Sequence, residues 1–261
     1  MEGIFLKNKI TFQKIETHSH KVEENELFIQ YSNLELSDRY DSNYLQLKFS
    51  PTLEEFKWIE DIQLSYQKSI QQHHLKFVWP DNVGLHTEVL NYFDANNYKI
   101  GMQNLYWTTK EFFSLHEINE ALSIQEVDDT ILEDFMRINL EEDLNQGKSY
   151  YDHKKKVYDY QYQLENIKFL IAYLKNIPVG SLILIQSDNF LEVDNVLTVS
   201  NYRGKRVAST LLNEVVHAIA KENQTVILVA DAEDTPKEMY EKMNFQYAGF
   251  QISAQKDLYF K

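Results

Sequence analysis

The chain has 261 residues, of which 43% are hydrophobic, 25% are charged and none is cysteine, and its formal net charge is −14 at pH 7. Such a length accommodates one large domain or two small ones with a real hydrophobic core. The acidic balance argues against nucleic-acid and anionic-membrane partners, because both need a basic face. Without cysteine, disulfides, thiolate metal sites and a cysteine nucleophile are excluded.

No segment has the pattern of an export signal or of a membrane anchor. Residues 1–9 lack the long apolar core of a signal peptide. The longest apolar stretch, around residues 177–185, is too short to span a bilayer. We therefore expect a cytoplasmic protein.

The N-terminal half is predicted to alternate strands and helices. Residues 44–49 are strand-like, and Thr52-Leu-Glu-Glu55 is a capping box that begins a helix. Residues 75–79 predict a short buried strand, and a helix carrying Val89 and Phe93 follows it.

The central segment is predicted to be helical and then to form a hairpin. Residues 129–166 have a helical composition that is interrupted near Gly147. Strand-like residues 168–174 and 177–185 flank the turn Lys175-Asn176, which predicts a β-hairpin. The helical segment also contains five tyrosines that either line a pocket for a cation or pack in the ordinary way: Tyr150, Tyr151, Tyr158, Tyr160 and Tyr162.

A strand, a basic loop and a helix follow the hairpin. Residues 191–199 predict the strand, and Arg203, Gly204, Lys205 and Arg206 form the loop. The helix has the apolar stripe of a core-facing helix at Ala208, Leu211, Leu212, Val215, Val216 and Ile219. Cations are unfavourable at the positive end of a helix dipole unless an anion binds there. The loop therefore predicts a seat for a phosphate-bearing ligand.

The last part of the chain is predicted to hold a strand, a short helix and further strands. Residues 225–230 predict a buried strand. Thr235-Pro-Lys-Glu238 is a capping box with proline at the first helical position, and its helix runs through Met243. Residues 245–252 and 257–260 are strand-like.

The N-terminal half repeats this order in a weaker form. Asn97-Tyr98 before Gly101 corresponds to Asn244-Phe245 before Gly249. This rhythm indicates an old duplication or a chance recurrence of a common α/β pattern. The slot that matches Tyr240 holds Leu90, and no basic loop precedes the first helix, so the C-terminal half is expected to hold the active site.

Over residues 120–261 the chain resembles the GNAT (general N-acetyltransferase) superfamily. Arg203-Gly-Lys-Arg-Val-Ala208 is similar to the family's Arg/Gln-x-x-Gly-x-Gly/Ala signature, and Met239–Phe245 is similar to its Tyr-Glu-Lys-x-Gly-Phe segment. Leu197-Thr-Val199 and Ile177-Pro-Val-Gly180 match two of its strands. Three departures stand out: Arg206 replaces the central glycine, Asn244 replaces another glycine, and Glu233 and Asp234 lie where an asparagine often precedes the tyrosine helix.

The resemblance implies an α/β (α+β) fold with a mixed, mostly antiparallel central sheet flanked by helices. The expected domains are a degenerate GNAT-like domain at residues 1–118 and an acetyltransferase domain at residues 119–261. The implied cofactor-binding residues, for acetyl-CoA as co-substrate, are Leu197, Thr198, Val199, Arg203, Gly204, Lys205, Arg206, Val207, Ala208 and Ser209.

The resemblance also implies transfer of an acetyl group to a primary amine of a small molecule or peptide. Tyr240 is implied as the acid that protonates the sulfur of coenzyme A, although a packed helix tyrosine is the alternative. Glu192 and Asp194 share one face of their strand and are candidate bases, or else solvated carboxylates.

Two further expectations concern partners and the competing class of function. The adjacent histidines of His18-Ser-His20 and His73-His74 are poor metal ligands, so no metal is expected. A homodimer is compatible with the resemblance. The competing hypothesis, prompted by Arg206, is a non-catalytic acyl-CoA-binding or protein-interaction module.

Overall fold

The computed structural model describes residues 10–114, 117–233 and 237–258. The chain forms two compact units: unit 1 comprises Met1–Leu105, Asp231–Glu233 and Ala248–Lys261, and unit 2 comprises Tyr106–Ala230 and Asp234–Tyr247. The predicted starts of a helix at Thr235 and Pro236, and the predicted strand residues 259–260, lie outside the described residues.

The predicted elements are present among the described residues, but the strands at residues 20–24, 28–32 and 122–126 were not predicted, and the two strands predicted at residues 245–252 and 257–260 are one strand as far as residue 257. The strands are β1 (His20–Glu24), β2 (Phe28–Ser32), β3 (Tyr44–Leu47), β4 (His74–Val78), β5 (Lys99–Thr108), β6 (Leu122–Glu126), β7 (Ile167–Leu174), β8 (Ile177–Gln186), β9 (Phe190–Thr198), β10 (Thr225–Asp231) and β11 (Gln246–Asp257). The α-helices are α1 (Leu53–Ser69), α2 (Thr87–Ala95), α3 (Leu132–Asp143), α4 (Lys148–Tyr162), α5 (Val207–Glu214) and α6 (Lys237–Lys242), and a π-helix at Val215–Ile219 continues α5.

Unit 1 is a mixed sheet with helices packed on it. Its strand order is β1-β2-β3-β4-β11-β5, with residues 99–105 of β5 in this unit, and β3 and β4 run parallel, joined by α1. The predicted capping box is confirmed, because the Thr52 side chain accepts from the N–H of Glu55 and the Glu55 side chain accepts from the N–H of Thr52. The core centres on Phe56 of α1, whose ring lies 4.9 Å from those of Phe77 and Phe93.

The units divide the chain at places that differ from the predicted cut after residue 118. The first boundary lies between residues 105 and 106, and residues 248–261 belong to unit 1. The physical reason for the second difference is strand pairing: Ser253–Asp257 of β11 pair antiparallel with residues 74–78 of β4. A strand's partner is a non-local property that the local pattern does not contain.

Unit 2 is also a mixed, mostly antiparallel sheet, in the order β10-β9-β8-β7-β6, and this confirms the expected fold class. The hairpin β7–β8 turns at Lys175 (φ 51°) and Asn176 (φ 66°), the two left-handed residues of a tight hairpin turn. Gly147 (φ 106°) separates α3 from α4, as its position in the helical segment predicted. The one parallel pair among these five strands is β9 with β10, joined by α5.

The two faces of the unit 2 sheet pack against different helices. One face carries Leu182 of β8 and Val193 of β9 against Leu211 of α5. The opposite face carries Ile183 and Ile185 of β8, which share a cluster with residues of α3 and α4. Alternation along each strand thus sends neighbouring residues to separate cores.

Both units end a helix with the same local geometry. After α6, Asn244 has φ 58° and the N–H of Phe245 donates to the carbonyl of Tyr240 at 3.0 Å. After α2, Asn97 has φ 60° and the next N–H makes the equivalent bond, also at 3.0 Å. This is the long hydrogen bond of a Schellman motif, in which asparagine replaces the usual glycine. The predicted correspondence between the halves is therefore present in the backbone.

Across the described residues, every helix is too short or too polar to cross a lipid bilayer.

Candidate active site

Strands β9 and β10 part before either of them ends. Their parallel pairing reaches Val193 and Leu228, although β9 continues to Thr198 and β10 to Asp231. The other edge of β9 stays paired with β8 as far as Thr198. In the described part of the chain, the β10-facing edge of residues 194–198 therefore has no strand partner. Three predicted binding residues lie along or beside this edge and are partly exposed: Leu197, Thr198 and Val199.

A β-bulge lies where the strands part. The register between β8 and β9 shifts so that one residue, Leu182, faces two, Asn195 and Val196. Asn195 has φ 50°, a left-handed conformation that asparagine tolerates. The N–H of Asn195 donates to Oδ1 of Asp194 at 2.8 Å, which holds the bulge in place. Bulges of this kind redirect a strand and often lie beside active sites.

The loop after β9 and the first turn of α5 present a row of backbone donors. Five of these N–H groups donate to no acceptor in the part of the chain that the structure describes: those of Gly204, Arg206, Val207, Ala208 and Ser209. Two neighbours differ, because the N–H of Arg203 donates to Ser200 and that of Lys205 to Tyr202, both at 3.3 Å. The row converges at a helix N-terminus, which suits an anion.

Arg206 adopts the conformation for which the family uses glycine. It is the N-terminal cap of α5, with φ 62° and ψ 27°. Its carbonyl accepts the N–H of Thr210 at 3.0 Å and the hydroxyl of Thr210 at 2.6 Å, so the loop closes tightly on the helix. The substitution of arginine for glycine thus preserves the backbone turn, at the energetic cost of a left-handed residue with a side chain.

An open pocket of about 610 Å³ adjoins this loop. Its walls are residues 118–121 on one side and residues 204–206 on the other. Asn119 fixes the two walls, because its Nδ2 donates to the carbonyl of Lys205 at 3.0 Å and its N–H donates to Oγ1 of Thr210 at 3.0 Å. The Arg206 guanidinium forms an exposed ion pair with Glu117. The Glu117 carboxylate binds the side chain of Arg206 and leaves the backbone N–H groups of the loop open.

Tyr240 lies on α6 and is 6% exposed. Its ring centroid is 5.8 Å from that of Tyr106 and 5.7 Å from that of Phe245, within the core beneath α5. It therefore combines the position that matches the family's tyrosine with the packing of a core residue. Its role as an acid stays a prediction.

The two predicted bases face away from Tyr240. Leu191 and Val193 pack in the cluster that contains Tyr240, so Glu192 and Asp194, which alternate with them, face the α3 and α4 side. Glu192 is 7% exposed, which is not the environment of a solvated carboxylate at a strand start. Asp194 holds the bulge through Asn195. Neither assignment as a base is tested by these contacts.

A buried polar network that the sequence did not reveal lies on that second face. Asn195 Nδ2 donates to Oδ1 of Asn139 at 2.8 Å and to the hydroxyl of Tyr158 at 3.3 Å. The Tyr158 hydroxyl donates to Oδ2 of Asp143 at 2.9 Å, and Asn139 also binds Ser181. In the sequence, Asn139 is an isolated asparagine in a helical segment, and nothing there distinguishes it. Only the fold shows that Asn139 is 2% exposed and therefore part of a buried network.

Of the five clustered tyrosines, Tyr158 belongs to this network through its hydroxyl. It is 1% exposed, whereas Tyr150 is 43% exposed and Tyr162 binds Asp129 through its hydroxyl at 2.9 Å. Glu233, near the position of the missing asparagine, belongs to unit 1, and Asp234 lies outside the described residues. No group of three or more His, Asp or Glu side chains within the described ranges is arranged to hold a metal ion.

Comparisons with known proteins agree with this geometry. Residues 165–247 match the family model of the acetyltransferase (GNAT) domain, and residues 10–106 match a domain of unknown function, DUF5613. A comparison with curated protein sequences found no match.

Three solved structures share the fold. A functionally unknown conserved protein from Staphylococcus epidermidis ATCC 12228 is 25% identical with a TM-score of 0.87, over 96% of this chain and 99% of that one. A GCN5-related N-acetyltransferase from Kribbella flavida is 10% identical with a TM-score of 0.61, over 91% and 89%. A tandem GNAT protein from the clavulanic acid biosynthesis pathway is 7% identical with a TM-score of 0.50, over 84% and 76%. Residues 165–247 are therefore a GNAT acetyltransferase domain, in a two-domain chain whose fold is that of tandem GNAT proteins.

Proposed function

We propose that unit 2 is an acetyl-CoA-dependent N-acetyltransferase that moves the acetyl group directly to a primary amine of a small molecule or peptide. One observation carries the proposal: the open edge of β9, residues 194–198, leads directly into the unpartnered N–H groups of residues 204 and 206–209. The edge suits an extended amide-containing arm, and the N–H row suits the diphosphate at its end.

Charge supports the same ligand. The side chains of Arg203, Lys205 and Arg206 are exposed around the N–H row, in a chain whose net charge is −14. Positive side chains clustered at a helix start are destabilising by themselves and become favourable when an anion binds.

Acetyl transfer needs a neutral amine, a polarised thioester carbonyl and a proton for the departing sulfur. Backbone N–H groups at the unpaired β9 edge are proposed to polarise the carbonyl. Tyr240 is proposed to donate its proton to the sulfur. The protein would thus supply binding, orientation and proton transfer, and no covalent intermediate with the enzyme.

A second candidate is a non-catalytic acyl-CoA-binding or protein-interaction module. The burial of Tyr240 favours it, because a tyrosine 6% exposed in a core needs no chemical role. This candidate shares the cofactor seat with the first and differs in turnover.

The cofactor seat is tested by isothermal titration with acetyl-CoA. We expect wild-type binding, and about thirtyfold weaker binding for the double variant Arg203→Gln/Lys205→Gln, since two charge-assisted phosphate contacts of about 1 kcal/mol each contribute about 2 kcal/mol together. The matched control, Lys155→Gln/Lys156→Gln, removes the same charge from α4 and should bind like wild type. Equal weakening in both double variants would show only a general charge effect and would contradict the seat.

The reaction is tested by thiol release and mass spectrometry with a panel of primary amines. Acetylated product that depends on wild-type protein supports the transferase. Acetyl-CoA binding without turnover of any amine favours the binding module. Absence of acetyl-CoA binding contradicts the transferase and the acyl-CoA-binding module, and leaves a protein-interaction role.

A further inference from the structure

Side chains of α3 and α4 make hydrogen bonds near both ends of the unpaired β9 edge, residues 194–198. Glu142, near the end of α3, accepts the hydroxyl of Ser200 at 2.9 Å just beyond β9. Asp143 reaches the bulge at the other end through Tyr158, which is bonded to Asn195. Two consecutive carboxylates therefore flank the segment along which the acetyl donor is proposed to lie.

Asp143 has a free acceptor atom. Oδ2 accepts the Tyr158 hydroxyl at 2.9 Å, and among the described residues Oδ1 accepts no hydrogen bond. The residue is half-buried, and burial raises the pKa of its carboxyl. A carboxylate whose pKa is raised by burial takes a proton more readily than an ordinary surface aspartate.

The surroundings of Asp143 already accommodate an ammonium ion. Lys154 Nζ lies 4.7 Å from the ring centroid of Tyr158 and opposes the rise in the Asp143 pKa, whereas Glu142 adds to it. An aromatic face and a carboxylate together attract a cation. The ammonium group of Lys154 already lies beside the Tyr158 ring and the Asp143 carboxylate, so a bound amine would lie next to Lys154.

We infer that Asp143 is the acceptor site: its Oδ1 binds the ammonium group of a primary amine and takes one proton from it, with Tyr158 and Asn195 as positioning residues. The inference rests on the proposed transferase function and names the residue that binds the amine. This assignment leaves the structural roles of Glu192 and Asp194 unchanged. The Asp194 carboxylate already accepts the N–H of Asn195 in the bulge.

The proton and bond changes balance. One ammonium proton passes to Asp143, and the neutral nitrogen forms a bond to the thioester carbonyl carbon. The carbon–sulfur bond then breaks, the sulfur takes the Tyr240 proton, and the nitrogen's second proton restores Tyr240. The products are the acetamide, coenzyme A as its thiol, and protonated Asp143, which returns its proton to water.

The binding half is tested by titrating the protein with benzylamine and with benzyl alcohol in the presence of coenzyme A. Asp143→Asn should weaken benzylamine binding about tenfold or more, as expected for a hydrogen bond to a charged group, and leave the alcohol unchanged. Glu141→Gln is the matched control, because Glu141 is an exposed carboxylate on the same helix. Lys154→Met should strengthen benzylamine binding, since it removes the competing cation.

The proton-transfer half is tested by kcat/KM. Asp143→Asn should lose activity with benzylamine, which is protonated at pH 7, and far less with methoxyamine, which is neutral. The acidic limb of the wild-type pH profile should disappear in the variant.

The outcomes separate the two proposals. Equal benzylamine binding by the Asp143→Asn and Glu141→Gln variants, or no preference of wild type for the amine over the alcohol, overturns the Asp143 site. Binding through Asp143 without acetylation of benzylamine or of any other amine in the panel retains the ammonium site and contradicts the transferase. Acetylation that is equally fast in both variants retains the transferase and overturns Asp143.

Discussion

At the scale of single residues, the basic loop before α5 depends on one strained position. Arg206 has φ 62° where a side chain costs of the order of 1–2 kcal/mol relative to right-handed backbone. The strain persists because the carbonyl of Arg206 is bonded to both the N–H and the hydroxyl of Thr210. The same conformation leaves its own N–H pointing away from the helix and open to a ligand.

We expect Arg206→Val to lower the free energy of unfolding of unit 2 by about 1 kcal/mol or more, because a β-branched residue is a true outlier at positive φ. Arg206→Gly should change it by less than about 0.5 kcal/mol, since relief of strain offsets the added chain entropy. Urea unfolding measures both. A valine variant as stable as wild type would be incompatible with a left-handed residue at 206.

Replacement of Tyr240 tests its proposed proton transfer. Tyr240→Phe keeps the ring contacts with Tyr106 and Phe245 and removes only the hydroxyl, so turnover should fall by ~10²–10⁴. Tyr247→Phe is the control, because Tyr247 also contacts Tyr106 but is 43% exposed. Near-normal turnover of the Tyr240 variant would remove it from the role of acid.

At the scale of elements, the position of α5 against the sheet determines where the N–H row lies. Gly180 of β8 makes this contact: a Cβ there would come within 2.5 Å of Val207 Cγ1 and 2.6 Å of the Leu197 carbonyl. The glycine thus lets the first turn of α5 and the open part of β9 approach β8 together. Its place in the family-like Ile177–Gly180 strand has this physical explanation.

We expect Gly180→Ala to destabilise unit 2 by about 1–3 kcal/mol, the usual cost of overpacking, and to weaken acetyl-CoA binding by displacing α5 from β9. Gly84→Ala is the control, because a Cβ at Gly84 meets no atom within 4 Å. Thermal unfolding and acetyl-CoA titration measure the two effects. Unchanged binding in a destabilised Gly180→Ala variant would separate α5 packing from the cofactor seat.

At the scale of the whole molecule, the units differ in what they bury. Unit 2 carries the loop, the open strand edge and the network at the bulge. Unit 1 buries two histidines, and burial lowers the pKa values of both His18 and His74 to about 4. Burial favours the neutral form of His74, which stacks on Tyr40, whereas the bond between its Nε2 and the Asn43 carbonyl, at 3.1 Å, acts in the opposite direction on its pKa.

Acid should therefore unfold unit 1 through these histidines. The unfolded chain binds a proton at His74 below its ordinary pKa of 6.5, whereas the folded chain does so only below about 4. Stability is then fully present above pH 6.5 and falls by about 3 kcal/mol for His74 as the pH drops to 4. His74→Gln should unfold with a smaller loss between pH 7 and 4.5 in urea titrations. The exposed His20→Gln control should retain the wild-type loss, and equal pH dependence in both variants would contradict the assignment.

Local structure followed from the sequence because short-range interactions determine it. The Thr52 capping box, the Lys175-Asn176 turn, the break at Gly147 and the stripe of α5 depend on residues within a few positions of one another. The basic loop was recognisable for the same reason: cations at a helix start are anomalous wherever the helix packs.

Other features were decided only by the tertiary structure, because they depend on partners far apart in the chain. The amino-acid pattern cannot state that β11 pairs with β4, that β9 leaves β10 after Val193, or that Glu192 is buried. The contact of Asp143 with Asn195 through Tyr158 is of this kind, since three separate elements supply it. The sequence by itself determined most helices and strands and the basic loop that suits an anion. Packing between distant segments decided which side chains lie beside that loop.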